Sequence, residues 1–115
     1  YMLYLILSYT LEVIKMSENN DSKVKIESAT FQRIVSHLRN NPEVQNIDLM
    51  NLANFCRNCI SKWYVEEAKK EGLSLDYDEV RETIYGMPYS EYKTKYQKEA
   101  TEEQLKKFNE NENKK

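Results

Sequence analysis

Phe31, Ile34, Val35 and Leu38 recur three and four residues apart, which predicts an amphipathic helix over about 28–40. Asn40, Asn41 and Pro42 stop it, because the residue before a proline avoids the helical region. A second stripe, Leu49, Leu52, Ala53, Cys56, Cys59, Ile60 and Trp63, predicts one long helix over about 49–71. Asp48 can cap its start, and Gly72 can take the left-handed position beyond its end. At 1.5 Å per residue this helix would be about 34 Å long. Its packing face would bury Trp63 and both cysteines. Its opposite side carries Asn51, Asn54, Asn58 and Lys62, with Arg57 nearby.

Asp76 with Glu79 has the pattern of a capping box and opens a short helix over about 77–85, with Val80 and Ile84 facing inward. Gly86 ends it. Gly86-Met87-Pro88-Tyr89 is a turn, and Ser90 can cap a helix over about 91–98. Thr101 with Gln104 repeats the capping-box pattern and opens a last helix over about 102–109. The expected fold is all-α: a small orthogonal helical domain, over 28–109, of four to five helices around one long central helix. Residues 110–115 are expected to be a disordered polar tail.

Residues 1–14 read YMLYLILSYTLEVI, apolar but interrupted by Glu12. The run is shorter than the roughly 20 residues that span a bilayer. It carries no basic n-region or small-residue cleavage site. We expect residues 1–27 to be an extension outside the domain, disordered after Met16, with Met16 the biological start. Membrane attachment is expected only if residues 1–15 are the tail of a truncated anchor.

Composition narrows the function classes. With 2 Gly and 2 Pro in 115 residues, there is little turn chemistry for a many-stranded β fold. A net charge of −2 supplies no overall field for a phosphate backbone, so nucleic acid is not an expected partner. The two cysteines form one C-x-x-C, too few for a disulfide framework, and fit a reducing, cytoplasmic-type compartment.

Three apart on one helix, Cys56 and Cys59 would project to one face, a geometry that suits two ligands of a soft metal such as zinc. Zinc wants four ligands. His37, the single histidine, is the candidate third, and Asp48 or Glu27 a fourth, but no second Cys or His pair is present. Helical periodicity alone accounts for both cysteines as small buried apolar residues. A redox dithiol is a weaker reading. Thioredoxin-like motifs open a helix, where the dipole favours the thiolate, whereas about two turns of predicted helix precede Cys56. Arg57 would point about 100° away from Cys56. Asn51, Asn54 and Asn58 cost helix stability, so they are either solvated surface or contacts to a partner or neighbouring segment. The candidate metal set is therefore Cys56, Cys59 and His37. The candidate binding set is Asn51, Asn54, Arg57, Asn58 and Lys62. No residue stands out as catalytic.

The phrases NIDLMNL, FCRNC, KWY and YGMPY, with FQRIVSHL upstream and ATEEQ downstream, resemble the bacterial family catalogued as domain of unknown function 1244. The resemblance runs over about 31–104. It implies a compact helical domain and brings no established activity. The expected function is a non-catalytic protein-interaction module that binds a protein partner or associates with itself. The alternative is a metal-binding or thiol-dependent site using Cys56 and Cys59.

Overall fold

A computed structural model describes residues 2–115, the side chains of residues 16–18 aside. Among the described residues the chain forms six helices and no strand. They are α1 (Met2–Asn40), α2 (Asn46–Ala53), α3 (Arg57–Lys70), α4 (Tyr77–Tyr85), α5 (Tyr89–Lys95) and α6 (Glu102–Asn113). The chain divides into two compact units, one ending at Ile34 and the other Val35–Lys115.

The first unit is the larger part of α1. Residues 16–27, expected to be disordered, are helical. The Thr10 and Thr30 hydroxyls donate back to the carbonyls of Ile6 (2.9 Å) and Ile26 (2.7 Å), which satisfies them without a cap. Leu3, Leu7 and Leu11 are exposed. No described helix is long and apolar enough to cross a membrane.

In the second unit, Val35, Cys56, Ile60, Val80, Ile84, Tyr85 and Tyr92 form the buried apolar core. Here α3 packs chiefly on α4, α4 on α5, and α2 on α6. The expected long helix over 49–71 is two helices. After Ala53, Asn54 adopts the left-handed conformation (φ 62°, ψ 17°), and its N–H donates to the Met50 carbonyl at 3.0 Å. Cys56 is extended (φ −138°, ψ −174°) and is the N-cap of α3. The apolar spacing runs through this break without interruption. Asparagine tolerates the left-handed region better than most residues, so it can end a helix where the pattern alone does not.

Other ends follow local chemistry. The N–H groups of Gly72 and Leu73 donate to the Lys69 and Ala68 carbonyls at 3.0 and 2.9 Å, closing α3 with the paired bonds of a glycine C-terminus. The Asp76 carboxylate accepts from the Glu79 N–H at 3.1 Å, and Gly86 (φ 76°) closes α4. Both arms of the Thr101–Gln104 capping box are made. Other boundaries differ from expectation. Gln45, not Asp48, is the N-cap of α2; Asp48 lies in the first turn and accepts from Gln104 Nε2 at 2.9 Å. Pro88, not Ser90, precedes α5. And α6 continues to Asn113 instead of ending near 109.

Candidate functional site

Arg57 is the first residue of α3, and it is 1% exposed. Its Nη1 donates to the Val44 carbonyl (2.7 Å), Asn46 Oδ1 (3.0 Å) and the Tyr92 hydroxyl (3.2 Å). Its Nη2 donates to the carbonyls of Asn41 (2.9 Å) and Leu38 (3.4 Å). Leu38 and Asn41 sit at the end of α1, where the helix dipole is negative, so the backbone supplies the countercharge. Among the described residues no carboxylate forms an ion pair with Arg57. The Tyr92 ring lies 5.3 Å from the guanidinium carbon and the Tyr85 ring 6.0 Å.

The surrounding polar groups are satisfied in turn. Tyr85 donates to Asn58 Oδ1 at 2.6 Å and accepts from Asn46 Nδ2 at 3.0 Å. Tyr92 donates to the Pro42 carbonyl at 2.9 Å. Buried Gln45 donates to the carbonyls of Glu43 and Tyr96, and its Oε1 accepts from the Lys98 N–H, each at 2.9 Å. Burial pushes the Tyr85 phenol far above its ordinary value, against the donation from Asn46. It also raises the Tyr92 phenol, against the pull of Arg57. Both phenols stay protonated at neutral pH, where their hydrogen bonds orient the groups around Arg57.

Beside it lies the cysteine corner. Cys56 is buried, and Cys59, the third residue of α3, is half-buried with its sulfur 3.8 Å from Met50 Sδ. Cys56 makes no capping hydrogen bond of ordinary geometry. Even so, burial pushes its thiol up, while the N–H groups of Cys59 and Asn58 act in the opposite sense. The break at Asn54 corrects the expectation that two turns of helix precede Cys56: the C-x-x-C opens a helix. His37 is exposed, and its carbonyl accepts from Asn41 Nδ2 at 2.8 Å. Among the described residues no three of His, Cys, Asp and Glu gather where they could hold a metal ion. His37 therefore does not join Cys56 and Cys59 in a ligand set.

The outer side of the same corner is apolar. Leu52 is 87% exposed, Trp63 50% and Phe55 37%. The Phe55 and Trp63 rings contact each other at 5.6 Å between centroids, tilted by 36°. Leu52 and Trp63, expected on one buried stripe, are both exposed, and the turn at Asn54 puts them on separate helices. Trp63 is four residues beyond Cys59, hence on the same side of α3.

The candidate binding residues separate. Arg57 and Asn58 meet in the buried centre. Asn51 ties α2 to α6, donating to the Gln104 carbonyl at 3.1 Å while its own carbonyl accepts from Asn111 Nδ2 at 3.4 Å. Asn54 is the left-handed cap, and Lys62 is exposed. Gln45, Asn46, Tyr85 and Tyr92 were absent from the candidate sets. Apart from the bond of Gln45 to Glu43, their partners lie 11 to 53 positions away in sequence, so no local pattern announces them.

The fold and the site define a small helical domain centred on a buried arginine, with a helix-opening dithiol and an exposed aromatic pair. The model of the family described as protein of unknown function DUF1244 matches residues 44–110, and the chain belongs to that family. The match takes in Arg57, Asn46, Tyr85, Tyr92 and the cysteine corner, leaves out Leu38, Asn41 and Pro42, and begins after α1, later than the resemblance at 31 suggests. No curated protein matches the chain significantly.

Proposed function

We propose that the domain is a protein-interaction module and that a second copy of the chain covers its Leu52–Phe55–Trp63 surface. The observation that carries this is the Phe55–Trp63 pair, two rings in contact and both exposed, with a third exposed apolar residue, Leu52, three positions before Phe55. Aromatic side chains are enriched at the centre of protein interfaces, and contiguous exposed apolar patches mark such contacts. The charges around the patch favour a like partner. The exposed side of α3 carries Lys62, Lys69 and Lys70 together with Glu66 and Glu67. A rim of both signs can pair with its own copy, and a net charge of −2 gives little self-repulsion.

Size-exclusion chromatography with light scattering at micromolar concentration tests the reading. The wild-type chain is expected at the mass of a dimer, and Leu52→Glu at that of a monomer with unchanged far-ultraviolet circular dichroism. A wild type that stays monomeric throughout, or an unaltered oligomer in Leu52→Glu, overturns it.

A further inference from the structure

The break before α3 changes what Cys56 and Cys59 can do. Inside an unbroken helix, residues three apart hold their Cβ atoms about 5–6 Å apart. A disulfide needs about 3.5–4.5 Å. Cys56 is not helical here: its backbone is extended, so helical spacing does not fix its Cβ relative to that of Cys59. As the N-cap and the third residue of α3, the two cysteines share the opening turn of that helix. We propose that Cys56 and Cys59 form a thiol–disulfide exchange site that reduces a disulfide-bearing molecule and closes as a Cys56–Cys59 disulfide. This goes beyond self-association and does not rest on it.

Exposure assigns the roles. Cys59 is half-buried and the more exposed of the two; Cys56 is buried. The Cys59 thiolate attacks one sulfur of the substrate disulfide, forming a mixed disulfide and expelling one thiolate. Cys56 then loses its proton, and its sulfur attacks Cys59 Sγ, expelling the second thiolate. Two electrons pass from the dithiol to the substrate, and the two protons end on the two product thiols. Strong dithiol oxidants owe their potential to a stabilised reduced form, as when the thiolate is held by its surroundings. The buried place of Cys56 offers its thiolate no such support, which favours reduction of the substrate.

The test incubates the full chain with glutathione disulfide near neutral pH, followed by alkylation of remaining thiols and intact mass. The wild type is expected to lose both free thiols, retain no glutathione and keep the mass of a single chain. Cys56→Ser is expected to stop at one stable glutathione adduct on Cys59. Cys59→Ser is expected to react at least about tenfold more slowly, because its remaining thiol is buried. A wild type that keeps both thiols, stops at the adduct or links two chains overturns the proposal. The wild-type result decides by itself, even where a variant fails to fold. Because single-chain mass is read after denaturation, the outcome is independent of whether the folded domain dimerises.

Discussion

Arg57 and Tyr92 meet at the centre of the domain: Nη1 of Arg57 donates to the Tyr92 hydroxyl at 3.2 Å, and the guanidinium carbon lies 5.3 Å from the ring centroid. Each residue is 1% exposed. The same hydroxyl donates onward to Pro42, and the guanidinium reaches Val44, Asn41 and Leu38. One cation thereby joins the end of α1, the connector after it, α3 and α5. A planar fork with several donors suits this arrangement; an ammonium does not.

Replacing Arg57 by Met keeps much of the volume and removes every donor. The acceptors at Val44, Asn41 and Asn46, partly buried, and at buried Tyr92 then lose a partner together. The expected cost is about 3–4 kcal/mol in urea denaturation at neutral pH, since each stranded buried acceptor costs about 1–3 kcal/mol and neighbours relax. Arg57→Lys should recover only part of it. An Arg57→Met midpoint equal to that of the wild type would mean that the hydrogen bonds to Arg57 contribute nothing net.

Stability should fall on the alkaline side. Burial raises the Tyr85 and Tyr92 phenols from an ordinary 10.0, so the folded state keeps protons that the unfolded chain loses. That stabilisation is complete below the unfolded phenol value and shrinks as pH rises beyond it. Cys56 acts in the same sense from a thiol's ordinary 9.0. The Lys70–Glu67 and Lys95–Glu91 pairs raise their lysines too, but they are exposed and weigh little. Urea midpoints measured from about pH 8 to pH 11 should decline most steeply near the top of that range. A Tyr85→Phe variant should decline less steeply, although it starts lower through the loss of its bonds to Asn46 and Asn58. A flat profile in the wild type contradicts this reading of the buried tyrosines.

The two glycines should respond unequally to alanine. Both have positive φ, 81° at Gly72 and 76° at Gly86, which costs an L-residue about 1–2 kcal/mol. A Cβ at Gly72 meets open space, whereas at Gly86 it lies 3.1 Å from Arg39 Cδ. Arg39 also donates to the Thr83 carbonyl, so its side chain is not free to swing aside. Gly86→Ala is expected to lower the thermal midpoint more than Gly72→Ala. At the third left-handed position, Asn54→Gly should be neutral or stabilising, and Asn54→Ala destabilising. The reverse order at either site would show that these helix ends are not as described.

These ends also show what a sequence discloses. Asp76 with Glu79, Thr101 with Gln104, and the two glycines act through groups within five residues, so spacing suffices to find them. Asn54 acts as locally, yet the apolar series from Leu49 to Trp63 runs across it at helical intervals and conceals the break. With the break hidden, Cys56 looks like an interior helix position instead of a cap. Leu52 and Trp63 likewise look like core. Arg57 is harder still. A charged residue beside a polar stripe reads as surface, and its burial makes sense only once the carbonyls of α1 and of the connector are in place around it.

Trp63 turns that error into a measurement of stability. If half its surface already faces solvent, Trp63→Ala should cost less than Ile84→Ala, which empties a site that is 1% exposed and should cost about 2–5 kcal/mol. Denaturation of the two variants at a low concentration, where association is weak, makes the comparison. A larger loss at Trp63 would place the ring in the core of the single chain.

The most direct test of the interface uses the same residue. Trp63 is the only tryptophan in the chain, so its emission reports on the Leu52–Phe55–Trp63 surface alone. If a second copy covers that surface, emission should shift to the blue as concentration rises from nanomolar to tens of micromolar, along with the mass seen by light scattering. Leu52→Glu should abolish both changes. A Trp63 emission that stays constant while the chain associates would contradict the account, because the contact would then lie elsewhere on the molecule.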